Sequence, residues 1–213
     1  MKAIRILWNP RGAARAAAET PIWISLATLG AAAAYANYPL LLQLTPAGLA
    51  QAKLDNTPQG MTSFSVLVFL GMWWAAPVLL PLCAWVASRA MRFHIGWVLD
   101  LTIERNGVSR ITACGFLPVA LGNALTGTVA LLCGGSCDRF NPVATNLAFF
   151  LDPAKTDVFW YEMARGVDVF SLWAIVATSL ALGKFAEEKP GRIWPGLAAL
   201  WVAALVLRAL LLA

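Results

Sequence analysis

The chain has 213 residues, 60% of them hydrophobic and 13% charged, about half the usual charged share. Its mean hydropathy is +0.68. That composition excludes a disordered chain and argues against an ordinary water-soluble domain. At roughly 20 apolar residues per crossing, the length accommodates about four to six membrane spans with short loops and no sizeable catalytic domain beside them. The net charge of +5, from 16 Lys and Arg against 11 Asp and Glu, does not indicate nucleic acid, because no basic patch interleaved with aromatics accompanies it. Four cysteines and one histidine are not spaced as a metal-binding framework, and neither a metal nor a cofactor is expected.

Residues 1–20 are polar and basic, with Lys2, Arg5, Arg11 and Arg15 against Glu19, and Asn9-Pro10 is a turn or helix-start signal. An Ala- and Leu-rich run over 21–44 is the first expected span. A signal peptide is disfavoured because the apolar run continues past Ala32-x-Ala34 through Leu42. Residues 45–62, with Pro46, Gly48, Pro58 and Gly60, read as a loop. The second span covers 64–88 and contains Pro77 and Pro81, each of which removes a backbone donor. In lipid the freed carbonyls need neighbouring helices. Residues 91–103 extend the helix from the bilayer or lie at its surface, and Asn106-Gly107 is expected to turn. The third span, 111–133, is rich in small and polar residues: Gly115, Pro118, Gly122, Asn123, Thr126, Gly127 and Thr128. Small residues let backbones approach, and Asn or Thr hydrogen-bonds between helices, so this is the most enclosed helix.

The longest loop follows. Within it, Asn141 as cap and Pro142 as first helical residue predict a short helix over 143–151, too short to cross and therefore interfacial or re-entrant. Asp157 caps the fourth span, 158–183, whose first turns carry Glu162, Arg165 and Asp168. The last span covers 193–213. The expected fold is thus an all-α, polytopic bundle with about five membrane-spanning helices.

Eleven of the 16 basic residues fall in residues 1–20, 89–110 and 184–192, on one side of such a bundle. The other side has Lys53, Arg139, Lys155, Arg165 and Arg208. The positive-inside rule then places the N-terminal segment in the cytoplasm and the C-terminus outside.

The pattern resembles the Yip (Ypt-interacting protein) domain family, in its bacterial branch of five-span membrane proteins. The resemblance covers nearly the whole chain. It rests on Asn9-Pro10, Pro21-Ile22-Trp23, Gly115-Phe116-Leu117-Pro118, Asn141-Pro142, Asn146-Leu147 and Asp168-Val169-Phe170-Ser171-Leu172-Trp173, followed by Leu182-Gly183. It implies a five-helix bundle of the bacterial cytoplasmic membrane, with a cytoplasmic N-terminus and no established catalysis. Eukaryotic relatives act in vesicle trafficking and bind Rab-type GTPases and one another. The short polar segment before the first span departs from them, so GTPase binding is not carried over. The expected partners are the lipid bilayer and other membrane proteins, or further copies of the chain.

Glu162, Arg165 and Asp168 are spaced to share a helix face. Asp168 lies 16 residues before Lys184, about 24 Å along a helix, near the outer boundary of the bilayer. Two readings stand. One is a proton or substrate relay, since ionisable residues within spans are functional candidates; the other, the commoner, is an ion cluster that fixes helix packing. Asn123, with Thr126 and Thr128, either lines a polar cavity or, more commonly, hydrogen-bonds between helices. Asn141 and Asn146 either close a pocket or anchor the loop. Cys133 and Cys137, separated by Gly-Gly-Ser, form a disulfide or remain free thiols. Cys83 and Cys114 read as small apolar residues. His94 reads as interfacial. No nucleotide-binding, nucleophile-elbow or zinc-protease motif is present, so no catalytic residue is named.

The leading function is a non-enzymatic membrane-organising or scaffold protein. The alternative is a small transporter or lipid-translocating protein using Asp168, Arg165 and Asn123. A thiol protein using Cys133 and Cys137 is a third.

Overall fold

A computed structural model describes residues 2–43, 63–101, 103–133, 143, 145–152 and 155–212. Among them the fold is all-helical, and the only pairing of extended backbone is an isolated bridge between Asn146 and Asp168. A 3-10 turn, Lys2–Leu7, leads into α1, Pro10–Glu19. The Asn9 side chain caps α1 by accepting from the Gly12 N–H at 2.9 Å, with Pro10 in the first turn, where its missing donor costs nothing. Ala13, Ala14, Ala17 and Ala18 form the buried face of α1, while Arg11 and Arg15 point outward.

Helices α2, Ile22–Gln43, and α3, Ser63–Phe93, come next. Pro77 and Pro81 both lie inside α3. Pro81 has no N–H for the carbonyl of Pro77, and α2 packs against that carbonyl. Gly30 brings its backbone against that oxygen so closely that a Cβ there would lie 2.8 Å from it. One π turn, His94–Val98, extends α3, and Asp100 at φ 51° reverses the chain.

Helix α4, Arg105–Gly115, and α5, Leu117–Cys133, follow, divided at Phe116. The expected turn at Asn106-Gly107 lies instead in the first turn of α4, because the reversal has already been made at Asp100. The third span, expected to begin at Ile111, begins inside α4 and breaks at Phe116. Pro118 cannot donate to the Cys114 carbonyl and disfavours helix just before itself, so Phe116 closes a tighter turn onto Ala113 O.

Helix α6, Val158–Gly166, is capped by Asp157, which accepts from Phe159 N–H at 2.9 Å. Helix α7, Val169–Phe185, and α8, Pro190–Leu212, complete the chain. The continuous fourth helix expected over 158–183 is broken at Val167-Asp168, where Asp168 takes up the first amides of α7 as its cap. The short helix expected over 143–151 is only a 3-10 turn, Leu147–Phe150, because Thr145 and Leu147 pair with backbone at the α6–α7 break instead of continuing a helix. Its expected cap, Asn141, lies outside the described residues.

The larger core joins Ile6, the alanines of α1, Met91, Ile95, Val108, Ile111, Cys114, Ala181, Leu182, Ile193 and Leu197. The three segments that hold most of the basic residues therefore gather at one end of the bundle. A smaller core of Leu29, Ala84 and Ala120 ties α2, α3 and α5.

Helix is present over each of the five expected spans. Among the described residues, two stretches are long and apolar enough to cross a membrane, Arg105–Cys133 and Pro190–Leu211, and Val169–Phe185 is a shorter apolar helix.

Candidate functional site

Three charged side chains, Glu162, Arg165 and Arg208, converge where α6 meets α8. Glu162 is 1% exposed and accepts from two guanidinium groups, Arg165 at 2.8 Å and Arg208 at 2.5 Å. Arg165 lies one turn further along α6, while Arg208 comes from α8, 46 residues away in sequence. Their side chains are 9% and 32% exposed. The α6–α8 contact is close because Gly166 has no side chain where Leu205 packs. A buried carboxylate is tolerated only when paired and hydrogen-bonded, and here both oxygens are engaged.

Asp168 belongs to the same neighbourhood but not to the same helix face. It sits beyond the break, and its Oδ1 accepts from the N–H groups of Phe170 at 2.8 Å and Ser171 at 3.0 Å. The Ser171 hydroxyl donates to its Oδ2. An acidic cap at a helix N-terminus satisfies orphan donors and complements the helix dipole. Its charge also acts on Arg208. Glu162 and Arg165, one turn apart, form a salt bridge; Asp168 lies beyond the helix break and caps α7.

Arg208 is the member that the sequence reading left out of the cluster. Its signal was present: it is a lone guanidinium near the end of an otherwise apolar run, and a charge in such a place needs a partner.

Asn123 and Thr126 are half-buried on α5. Gly122, beside Asn123, abuts the Phe170 ring, so a Cβ would lie 2.7 Å from it. Asn123 is therefore level with the start of α7. The hydroxyl contact from α5 to α2 comes from Thr128, 3.3 Å from the Tyr35 hydroxyl. Gly127 lies against Tyr35 and Ala36. The small residues of α5 are thus spent on contacts within the chain.

Asn146 anchors the loop through its backbone bridge to Asp168. Cys133 is disulfide-bonded; its expected partner Cys137 lies outside the described residues, as do Lys53 and Arg139. Cys83 and Cys114 are free thiols, and Cys114 lies 3.1 Å from the Ser25 hydroxyl. His94 packs its ring against Gly196, with its Nε2 buried and without a hydrogen-bond partner. Among the described residues no group of three or more His, Cys, Asp or Glu could hold a metal ion.

The fold and the cluster define an all-helical chain with basic segments gathered at one end and an ion cluster near the other. No family model, curated protein or solved structure matches the chain.

Proposed function

We propose that the chain crosses the bilayer five times as a non-enzymatic protein of the Yip-domain type, organising its membrane or scaffolding partner membrane proteins. The observation that carries this reading is how the ionisable groups are used. Glu162, Arg165 and Arg208 engage one another in a helix contact, and Asp168 is occupied as a cap. Groups committed in this way hold helices together; they do not stand open along a path.

The surface supports the membrane reading. Val78, Leu82 and Val86 on α3, Leu172 and Val176 on α7, and Val202, Leu207 and Leu210 on α8 are all exposed. Apolar surface of that extent suits acyl chains, not water. Trp8, Trp23, Trp97 and Trp194 toward the basic end, with Trp160 toward the other, are exposed as well, in keeping with interfacial belts. The proposed location is the bacterial cytoplasmic membrane, with the basic end inside.

The test is reconstitution into sealed liposomes, with proton flux and lipid scrambling measured for the native chain, Asp168→Asn and Asp168→Ala. The expected result is no transport above empty liposomes for any of them. Asn keeps the cap and leaves stability near native, while Ala loses about 1 kcal/mol. Flux that the native chain supports and Asp168→Asn abolishes overturns the scaffold in favour of a small transporter or lipid-translocating protein.

A further inference from the structure

The cross-helix contacts set helix levels against one another. Ser25 of α2 touches Cys114, and the adjacent Gly115 abuts the Thr178 hydroxyl of α7. From that shared level α2 continues to Gln43, 18 residues or about 27 Å. Helix α7 ends at Val169, nine residues or about 14 Å away. The start of α7 therefore lies roughly 13 Å below the end of α2. Helix α2, with 22 residues, is about 33 Å long, enough to span a hydrocarbon core of about 30 Å. On the membrane reading, the α6–α7 break falls inside the far leaflet.

What lies beside that break is extended backbone at Asn146 and a single 3-10 turn, Leu147–Phe150. Residues 145–151 pair with it through Leu147 N–H to Val167 O at 3.1 Å and Val169 N–H to Thr145 O at 3.2 Å. Within the segment, Phe149 N–H donates to Asn146 O and Leu151 N–H to Ala148 O. Irregular backbone at membrane depth is tolerated only when its polar groups find partners in protein, and these amides have them. The side chains behave oppositely. Phe149 is 62% and Phe150 79% exposed, and their rings pack edge to face at 5.3 Å. Leu147 is exposed too; the antiparallel bridge sets it opposite Val167 and sets Thr145 opposite exposed Val169, the first residue of the stripe Val169, Leu172, Trp173 and Val176 on α7. Polar residues return only at Asp152 and Lys155, which pair with each other at 3.2 Å.

We propose that residues 145–151 form a re-entrant segment whose Phe149 and Phe150 insert into the acyl chains of the outer leaflet, continuing the lipid-facing stripe of α7 around the helix break. The proposal rests on the membrane reading above. It gives the break at Val167-Asp168 a role: it supplies hydrogen bonds that let a segment without α-helix enter lipid.

The test is site-directed spin labelling of the full chain in phosphatidylcholine–phosphatidylglycerol liposomes. Phe150→Cys, Val176→Cys and Lys155→Cys are labelled in a Cys83→Ser background, and collisions with oxygen and with a water-soluble nickel chelate are compared. The expected Phe150 label is rich in oxygen collisions and as protected from the chelate as Val176, while Lys155 meets the chelate freely. A Phe150 label as chelate-accessible as Lys155, with Val176 protected, overturns the re-entrant segment and leaves the membrane reading standing. A label at Phe150 closed to both reagents means that protein covers the site, and also overturns the proposal. Chelate access at Val176 removes the membrane reading and this proposal with it. Phe149→Cys gives the same reading if the Phe150 variant does not fold.

Discussion

Glu162 holds two guanidinium groups from a position with almost no contact with water. Removing the charge from one partner of a buried pair is costly because the others are left uncompensated. Glu162→Gln is therefore expected to lose about 3 kcal/mol of stability in detergent. Arg208→Met should lose less, because Arg165 still pairs with Glu162 and the more exposed Arg208 has less burial to forfeit. Chemical denaturation of both variants checks the order. A larger loss for Arg208→Met would mean that Glu162 is not the shared partner. Two of the three members of this cluster were legible in sequence. Glu162 and Arg165 stand one turn apart, a local spacing that any helix brings together. For Arg208 the need of a partner was legible but not the partner itself, since a contact across 46 residues depends on which faces of α6 and α8 meet.

At the scale of the helix, the same substitution has opposite consequences at two glycines. Gly30 faces the Pro77 carbonyl, a backbone atom that cannot swing aside. Gly191 has nothing within 4 Å of its would-be Cβ and lies in the first turn of α8. Gly30→Ala should force α2 from α3 and cost about 1–3 kcal/mol. Gly191→Ala should be neutral or stabilise by up to about 1 kcal/mol, because alanine loses less entropy in a helix. Thermal unfolding of the two variants under one condition tests the contrast; equal shifts would remove the packing argument. The helices themselves were readable from long apolar runs and from the caps Asn9 and Asp157, whose short side chains precede their helices. The break in the fourth span was not. Gly166-Val167-Asp168 contains no proline, and helix-compatible sequence continues on both sides. Asp168 could be read equally as a residue within a helix or as the cap of a new one. The loop at 143–151 was misread for a related reason: a good local start signal cannot reveal backbone partners waiting at a break further along the chain.

For the molecule as a whole, the basic end is a packed core and not a fringe. Residues 1–20 read as a polar segment because their arginines dominate the composition. Yet Ala13, Ala14, Ala17 and Ala18 bury one face of α1 against α4 and α7, leaving Arg11 and Arg15 outside. Alanine spacing is a weak hydrophobic signal, which is why this face was not legible. Its consequence is that three segments distant in sequence, all basic, are held on one side by packing as well as by charge. Reversing the orientation would move the whole core and most of the 16 basic residues across the membrane, so a single orientation is expected. Arg15→Cys and Lys155→Cys, each exposed and at opposite ends, report it in a Cys83→Ser background. In intact bacterial cells a membrane-impermeant maleimide should label Lys155→Cys directly and Arg15→Cys only after permeabilisation. The reverse pattern would overturn the orientation, and labelling of both in intact cells would mean that the two ends are not separated by a bilayer.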